Sequence, residues 1–479
     1  MPAPRFLMLT DAQLERLHAS ALELLWDPGV RIMTPDALGL LLEGGAELRG
    51  EDVVRVPAAM VERALETAPH RFSIYDRTGS EKLRLGQGEV YFGSGTTNLR
   101  YLDPTTGVPR DFTLDDTADA ATLTDALPNL DFASTPGVVR ASPELPQELV
   151  NQHEFLAMVA HTTKPLMVLV ADGPTLADVL DMAEVVAGGA EALRNRPFVM
   201  PYLNSVSPLM FNPDTLDKLL LCADRGTPVV CQAAPQVGAT GPVTFAGTIA
   251  VAAAETLCAL VLTQLRRPGT PFITGAVPLA TDMRKGNVTN GGPVGVRSMV
   301  AMGELARRWG LPLVGISAGG DSKTADEQAA LEATYYGFGA VLAGVDLVFD
   351  AGSIEGGLLF SPELAAMADD VIGMIRGVVE EVVVDDETLA LETIRSVGIG
   401  GQFLGEDHTL AHFRELWTPA LLSWESRREW EEAGSTTLRE RAQARVRTAL
   451  ADHRAQELPE EMLAGMREVI DTRRRSLRP

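Results

Sequence analysis

The sequence predicts an α/β protein built on a (β/α)₈ TIM barrel, with a helical arm before the barrel and a helical extension after it. Three observations favour this fold class. Eight short apolar, β-branched runs are each followed by a turn rich in Gly, Ser, Thr, Pro or Asn, and a helical stretch separates each run from the next. The runs are continuously apolar, as strands buried on both faces must be. They span about 260 residues, the usual size of such a barrel.

Residues 1–88 are predicted to form a mainly helical cap or arm. Thr10 and Gln13 form a capping box, and the leucines that follow recur at helical spacing until the sequence DPG. Thr34 and Val56 each precede a proline, which predicts two more helices with proline in the first turn, where its missing N–H costs nothing. We expect the arm to pack on the rest of the chain or on a second subunit.

The barrel is placed within residues 89–380. A doubly wound open sheet could also hold eight strands, but no Gly-x-Gly-x-x-Gly follows the first run to favour its dinucleotide-binding form. Residues 381–479 contain charged amphipathic helices, which we expect to serve packing or the formation of a homo-oligomer. The predicted strands lie at 90–95, 130–139, 165–170, 197–205, 226–235, 270–277, 310–319 and 345–353.

The composition limits the function classes. Lys and Arg number 41 against 65 Asp and Glu, a net charge of −24, which argues against a nucleic-acid partner because phosphate contacts need clustered cations. The three cysteines form no CxxC pair and have no histidine at a metal-ligand spacing, so they fit a reduced cytoplasm. The opening residues lack the basic and apolar regions of a signal peptide. The apolar run 245–264 contains Glu255 and predicts a buried helix rather than a membrane span.

Polar residues at the predicted strand ends are the candidates for catalysis, because function in such a barrel lies at the carboxyl ends of the strands. Asp321 and Lys323 follow the glycine pair Gly319 and Gly320 after the seventh strand, and Glu355 precedes a glycine after the eighth. Asp321 and Glu355 are the predicted catalytic residues. The alternatives are that Asp321 caps the following helix and that Glu355 is an exposed loop residue.

Three other patterns indicate different chemistry. The run around Ser317 matches the G-x-S-x-G nucleophile elbow, although GGDSK stands where a helix should begin. Lys323 could form a Schiff base, but its acidic neighbours would hold the ammonium group charged. His408, His412 and Glu415 could bind a metal, but they lie on the helical extension, so we predict no metal site. A hydrolase or lyase using Ser317 or Lys323 is the alternative enzyme.

Four separated motifs occur in order along the chain. They are GGPVGVRS at 291–298, DSKTADEQAALEA at 321–333, GSIEGGLLFSPELAAMADDVIGMI at 352–375 and FLGEDHTLAHFR at 403–414. With the opening LTDAQLERLHASALELLWDPGVRI, they make the chain resemble the trimethylamine methyltransferase family of corrinoid-dependent methyltransferases over nearly its whole length.

The resemblance implies a barrel whose mouth receives a methylamine-type substrate and a corrinoid. Co(I) of the corrinoid would attack a substrate methyl carbon and become methyl-Co(III). The sequence has no D-x-H-x-x-G stretch, which corrinoid-carrying domains use for the lower axial histidine, so a separate partner protein would deliver the corrinoid. The founding members of the family carry pyrrolysine and this chain does not, so it looks like the non-pyrrolysine branch. We expect the lost position in the loop after the seventh strand.

Leaving-group chemistry then favours a substrate class. Neutral trimethylamine would have to expel an amide anion, whereas a quaternary ammonium expels a neutral tertiary amine and needs only orientation toward cobalt and a cage for its charge. The expected function is methyl transfer from glycine betaine or a related betaine to the Co(I) corrinoid of a partner, in a methanogenesis-like C1 metabolism. The alternative in which the protein is not an enzyme is a non-catalytic betaine-binding module.

The resemblance and this chemistry also define expected contact residues. Aromatic faces and carboxylates hold an ammonium group, and a forked donor or a helix amino end holds a carboxylate. The expected substrate-binding residues are Tyr91, Phe92, Tyr202, Asn204, Gln232, Arg297, Lys323, Tyr336 and Phe360. The expected contacts for the partner's cofactor are Gly319, Gly320, Ser353 and Gly356.

Overall fold

A computed structural model describes residues 5–140, 142, 145–317 and 319–477. Its helices are α1 (Asp11–Trp26), α2 (Pro35–Glu43), α3 (Ala58–Thr67), α4 (Leu114–Ala126), α5 (Val150–His161), α6 (Gly173–Ala187), α7 (Ala190–Asn195), α8 (Pro213–Arg225), α9 (Phe245–Arg266), α10 (Pro293–Trp309), α11 (Glu327–Ala343), α12 (Pro362–Val379), α13 (Asp386–Leu389), α14 (Leu391–Val397), α15 (Asp407–His412), α16 (Arg427–Glu432), α17 (Leu438–Asp452) and α18 (Glu460–Ser476), with a 3-10 turn at Gln147–Leu149.

The strands follow the same chain order. They are β1 (Val30–Ile32), β2 (Glu47–Arg49), β3 (Val53–Arg55), β4 (Phe72–Tyr75), β5 (Glu81–Leu85), β6 (Tyr91–Ser94), β7 (Arg100–Leu102), β8 (Pro109–Asp111), β9 (Ala133–Ser134), β10 (Leu166–Val168), β11 (Val199–Asn204), β12 (Met210–Phe211), β13 (Val229–Ala233), β14 (Gln236–Val237), β15 (Phe272–Ala276), β16 (Leu279–Asp282), β17 (Asn287–Thr289), β18 (Leu313–Ile316), β19 (Leu347–Ala351), β20 (Ser353–Ile354) and β21 (Leu359–Phe360).

The barrel is a sheet of parallel strands in the order β6-β19-β18-β15-β13-β11-β10-β9. Each of the eight predicted runs contains one of these strands. The sheet closes where Gly93 of β6 forms a parallel bridge with Phe132, next to β9. A side chain at Gly93 would overlap the Phe132 ring, so glycine lets the two edges meet. The predicted (β/α)₈ fold is confirmed.

Helix α9 is the apolar run that the sequence places in the interior. It is long and apolar enough to cross a membrane, with a mean hydropathy of 2.0, but 83% of that window is buried in the protein. Helices α1, α2 and α3 pack against it on the outside of the barrel. Because α9 is apolar on nearly all sides, its outer face needs this cover.

The helix starts of the arm agree closely with the sequence. In α1 the Thr10 hydroxyl accepts from the Gln13 N–H at 3.3 Å, and the Gln13 side chain accepts from the Thr10 N–H at 2.9 Å, which confirms the capping box. Helix α2 begins at Pro35 as predicted. In contrast, Pro57 is the extended N-cap of α3 with ψ 145°, so this proline precedes the first turn instead of lying within it.

The chain after α12 divides into two parts. Helix α17 packs on α4 and α12, and α18 packs on α5 and α6 through buried Met466 and Ile470. Before α17, residues 376–420, which begin in the last turn of α12, form what we call the exposed segment, in which every residue is at least partly exposed. The exposed segment therefore buries little surface against the barrel of its own chain.

Candidate active site

A buried acid, Asp350, lies at the carboxyl end of β19 and hence at the mouth of the barrel. Its side chain is 7% exposed, and one oxygen accepts from the Thr96 N–H and the Ser353 hydroxyl, both at 3.4 Å. Burial raises the pKa of Asp350 to about 7, and these two weak hydrogen bonds offset little of that effect. Its φ of 79° is left-handed, a strained conformation for a residue with a side chain.

An aromatic wall stands beside Asp350. The Tyr202 ring packs edge to face against Phe349, with ring centroids 5.5 Å apart. The Tyr202 hydroxyl donates to the Gln232 side-chain oxygen at 2.7 Å, and Asn204 pairs in register with Gln232 on the neighbouring strand. Burial, and after it the charge of Asp350, raise the pKa of Tyr202 well above its ordinary value. The structure therefore brings three expected substrate contacts, Tyr202, Asn204 and Gln232, together with Asp350, an acid that was not predicted from the sequence.

The loop after β18 is held in place by two other carboxylates. Asp321 accepts from the backbone N–H groups of Asn290 and Gly291, both at 2.9 Å, which fastens it to the loop after β17. Glu332 of α11 accepts from the Ser322 N–H at 3.2 Å. These hydrogen bonds fix the backbone from Gly319 to Ser322 next to Asp350.

Glu355 lies on the loop after β19 in a left-handed conformation with φ 55°. Its N–H donates to the Ser322 carbonyl at 2.7 Å, and the Gly356 N–H donates to the Gly320 carbonyl at 2.9 Å. The Glu355 carboxylate is half-buried and makes no hydrogen bond within the described residues. The two predicted catalytic residues thus lie on loops that are bonded to each other at the mouth.

Gly320→Ala is expected to destabilise the protein by about 1–3 kcal/mol. An added Cβ would overlap the Glu332 carboxylate, which the Ser322 N–H holds in place. Urea unfolding measures the change in the free energy of unfolding. The control is Gly39→Ala in α2, where nothing lies within 4 Å of the added atom and alanine favours the helix. Equal stability of Gly320→Ala and the wild type would contradict the packing described here.

Two expected substrate contacts lie at the other end of the barrel. Tyr91 is the first residue of β6, so it stands at the amino end, where its hydroxyl donates to Glu89 and accepts from the Arg84 N–H. Phe92 is buried under the Arg376 guanidinium, 5.7 Å from the ring centroid. Neither side chain is brought together with Asp350.

Three further expected contacts lie around the mouth rather than in it. Arg297 is exposed on α10, with its guanidinium 4.4 Å from the Phe245 ring centroid. The Tyr336 hydroxyl donates to the Gly292 carbonyl at 2.8 Å and so holds the end of the loop that joins β17 to α10. Phe360 is buried in a cluster with two other aromatic rings.

The hydrolase and lyase alternatives find little support in this geometry. The Ser317 hydroxyl donates to the Phe349 carbonyl at 3.1 Å, and the next helix begins only at Glu327, whereas an elbow serine leads directly into a helix. Ala318 of the matching run lies outside the described residues. Lys323 is exposed and its ammonium group donates to the Asp321 carbonyl, so it lacks the apolar surroundings that a Schiff-base lysine needs. In the described ranges, no group of three or more His, Cys, Asp or Glu residues could hold a metal ion.

Asp350 and Glu332 are not among the site residues predicted from the sequence. The sequence pattern could have identified Asp350 as a site residue. It ends an apolar run directly before Ala and Gly, at the position where a barrel strand presents its functional side chain. Glu332 lies inside a helix, and no local pattern marks the loop that it contacts.

Comparisons with known proteins agree with this architecture. The family model described as trimethylamine methyltransferase (MTTB) matches residues 1–478. Trimethylamine methyltransferase MttB of Desulfitobacterium hafniense is 31% identical, over 96% of this chain and 93% of its own length. A glycine betaine methyltransferase of the same species is 29% identical, over 98% of each chain. The crystal structure of the Methanosarcina barkeri monomethylamine methyltransferase MtmB has a TM-score of 0.55 at 12% identity, covering 94% of this chain and 88% of its own.

These matches run along nearly the whole chain, and the shared fold with MtmB is the barrel described above. The relatives are methyltransferases. The chain is therefore an enzyme that belongs to the trimethylamine methyltransferase family.

Proposed function

We propose that this enzyme transfers a methyl group from a quaternary amine of the glycine betaine class to the Co(I) corrinoid of a separate partner protein. The observation that carries the proposal is Asp350, a buried carboxyl group at the barrel mouth that no cationic side chain among the described residues neutralises. A buried charge without a partner is costly, so burial favours the protonated acid, and a cation that pairs with the carboxylate displaces its proton. A quaternary ammonium is such a cation.

The neighbours of Asp350 fit the same ligand. Tyr202 and Phe349 offer ring faces and edges beside the carboxylate, and aromatic faces attract an ammonium group by about 0.5–2 kcal/mol each. Gln232 fixes the Tyr202 ring through its hydroxyl. The rings can then orient the ammonium group so that one methyl carbon faces the open end of the barrel.

The partner's Co(I) corrinoid supplies the nucleophile that receives the methyl group. The C–N bond breaks, and its electron pair remains on nitrogen as a neutral tertiary amine. Asp350 therefore pairs with the substrate nitrogen only while that nitrogen carries its charge, and this attraction ends when the product forms. Release of the product follows from the loss of charge.

The glycines beside Asp350 fit the approach of a bulky acceptor. A Cβ at Gly319 would lie 3.3 Å from the Asp350 carboxylate and 3.6 Å from the Asn290 amide, so a side chain there would crowd the path to the acid. Of the four residues expected to contact the corrinoid, Gly356 is partly exposed and is assigned to the surface that faces it, whereas Gly319, Gly320 and Ser353 are buried. Asp321 and Glu332 act as positioning residues, because their hydrogen bonds hold this backbone in place.

For the carboxylate of a betaine we retain Arg297 and Asn204 as donors. Arg297 has no carboxylate partner among the residues that the structure describes, and its planar fork suits a carboxylate. Asn204 is exposed at the carboxyl end of β11, two residues after Tyr202.

The test is incubation of the protein with reduced cobalamin, or with the cognate corrinoid protein, and a panel of quaternary and tertiary amines. A methyl-cobalt absorption spectrum with glycine betaine or a related betaine is expected, and none with trimethylamine. Methyl transfer from no quaternary amine would contradict the proposal. If calorimetry then showed betaine binding without transfer, the non-catalytic module would replace the enzyme.

The partner must dock over the mouth, and apolar side chains exposed on the strand-end loops indicate where. Met283 is 65% exposed at the tip of the β16–β17 hairpin, next to Arg284 and Lys285. Exposed apolar residues at a rim are typical of protein interfaces. Others on the loops that follow barrel strands are Val108, Val243, Val288 and Leu358.

Met283→Asp is expected to slow methyl transfer to the corrinoid protein about tenfold, the effect of losing one apolar contact at an interface. Transfer to free Co(I) cobalamin should keep the wild-type rate, because the mouth itself is intact. The two rates measured side by side form the test. An equal loss with both acceptors, or no loss with either, would contradict docking on this hairpin.

We further propose that the exposed segment, residues 376–420, contacts a second copy of this chain in a homo-oligomer. A concentration of large exposed apolar residues on one segment is typical of a surface that another protein covers. Most soluble oligomers are symmetric assemblies of identical chains. The large apolar residues exposed here are Val378, Val382, Val383, Val384, Leu389, Leu391, Ile394, Ile399, Phe403, Leu404, Leu410, Phe413 and Leu416.

The double variant Ile399→Asp, Leu404→Asp is expected to dissociate the oligomer, because both side chains are more than four-fifths exposed in one chain and would be buried in the assembly. Light scattering measures the mass, which should fall from a multiple of 51.3 kDa to that of one chain. Leu48→Asp, an exposed apolar residue of the arm, is the control. A wild-type mass of 51.3 kDa would contradict the proposal.

We place the enzyme in the cytoplasm, with no nucleic-acid or membrane partner. Cys222, Cys231 and Cys258 are free thiols in the interior, as in proteins of reducing compartments. The net charge of −24 opposes binding to phosphate backbones and anionic lipid surfaces.

A further inference from the structure

A polar cavity lies at the amino end of the barrel, opposite the mouth. Its volume is about 380 Å³, within the range of small-molecule sites. It opens beside the turns that lead into β6, β18 and β19. The lining includes Arg5, His70, Arg71, Arg307 and Asp346, with glycines between them.

The three arginines of this cavity form no salt bridge among the described residues, although the charges of Glu304 and Asp346 act to raise the pKa of Arg307. The Arg307 Nη1 group donates to the Ala343 carbonyl at 2.7 Å, whereas its Nη2 atom is buried without a hydrogen-bond partner. Burial, and after it the charge of Arg5, lower the pKa of Arg307, so the two guanidinium groups repel each other. Arg5 and Arg71 form no ion pair in the described ranges of the chain, which has 65 acidic residues to choose from.

The one acid of the cavity offsets only part of their charge. Both Asp346 oxygens accept backbone N–H groups, from Gly86 at 2.7 Å and from Leu313 at 2.9 Å. Burial raises the pKa of Asp346 to about 6, against the opposing effects of these two N–H groups and of Arg5 and Arg307, so at neutral pH a single carboxylate faces three guanidinium groups. The cavity is therefore cationic within a strongly acidic protein.

Helix capping explains only part of this arrangement. Cations are favourable near helix carboxyl ends, and the Arg307 contact with the end of α11 is of this kind. Capping does not supply hydrogen-bond acceptors for the Nη2 atom of Arg307 or for the guanidinium groups of Arg5 and Arg71. Arginine forks match the oxygens of a phosphate group, which would satisfy these donors and remove their repulsion.

We propose that this cavity is a binding site for a phosphate group, supplied either as inorganic phosphate or as a phosphate monoester. The volume leaves space for a substituent beside the phosphate. The site is independent of the methyl-transfer site because it lies at the other end of the barrel.

Calorimetric titration of the full-length protein tests the site with inorganic phosphate and with glycerol 3-phosphate, against chloride at equal ionic strength. Arg307→Gln and Arg71→Gln are each expected to raise the Kd at least about tenfold. Because Arg71 is exposed, Arg71→Gln is expected to fold, and it still tests the site if Arg307→Gln does not fold. The control is Arg16→Gln, an exposed arginine of α1 outside the cavity, which should bind as the wild type does.

The outcomes separate clearly. Tighter binding of the monoester identifies a phosphorylated small molecule as the ligand, and equal or tighter binding of inorganic phosphate identifies the free ion. If neither binds more tightly than chloride, or if both cavity variants bind as the wild type does, the proposal is wrong. Because binding is measured directly, the result does not depend on whether the protein transfers methyl groups.

Discussion

Asp350→Asn is expected to lower kcat/KM for glycine betaine by about 10²–10⁴-fold, because removing one partner of a buried charge pair costs about 3–5 kcal/mol. Asparagine has the same shape and can still accept from Thr96 and Ser353, so the change removes mainly the negative charge. The initial rate of methyl-cobalt formation over a range of betaine concentrations measures the effect. The loss should appear in both KM and kcat/KM.

Asp346→Asn is the matched control. Asp346 directly precedes the same strand, β19, and is also a buried acid with a raised pKa, but it lies at the amino end of the barrel. Its asparagine variant makes the same substitution, loses one backbone hydrogen bond because both Asp346 oxygens accept N–H groups, and as folded protein should retain the methyl-transfer rate. Equal activity of Asp350→Asn and the wild type would remove Asp350 from the site.

Betaine binding is expected to strengthen as the pH rises through about 7, which is the second large effect. The pKa of Asp350 in the free protein is raised to about 7, so below that pH the acid is protonated and the cation must displace its proton. The apparent Kd should therefore rise about tenfold for each pH unit below 7 and level off above about pH 8. At pH 7, binding should release about half a proton.

Calorimetry in two buffers with different ionisation enthalpies measures the released proton. In Asp350→Asn both the proton release and the pH dependence should disappear. The same pKa shift affects folding, because a raised pKa in the folded state stabilises it at low pH. The contribution of Asp350 to the free energy of unfolding is full below about pH 4 and is lost as the pH rises through about 7. A pH-independent Kd for betaine would contradict this account of the site.

The barrel could be predicted from the sequence because its signals are local. Each strand is a short, continuously apolar run that ends in a turn, and each run is long enough to be recognised alone. The small strands of the arm carry no such signal. Strand β1, for example, pairs with β12 through Arg31 and Met210, residues that are far apart in the chain and lie in short, half-exposed segments.

The sequence indicated the strand-end loops as the location of the candidate site, but not the contacts within it. Tyr202 and Gln232 were predicted separately as substrate contacts, and the structure places them on neighbouring strands with a hydrogen bond between their side chains. The role of each acid depends on its hydrogen-bond partners. Asp321 stood in the loop richest in polar residues, yet both of its oxygens accept backbone N–H groups from a loop 30 residues away.

Asp350 shows the opposite case. In the sequence it is a single acid at the end of an apolar run, and only the fold reveals that no cation reaches it. Tyr91 illustrates a second limit, because an aromatic residue at the start of a barrel strand lies at the amino end, away from the mouth. The order of residues within a strand therefore carried more information about the site than the type of residue.

A crystal structure of the protein with glycine betaine bound would show directly whether Asp350 holds the ammonium group. We expect the quaternary nitrogen within about 4–6 Å of the Asp350 carboxylate, with the Tyr202 ring against the ammonium group and one methyl carbon facing the open mouth. A betaine bound elsewhere, or bound at the mouth with its carboxylate rather than its ammonium group toward Asp350, would contradict it.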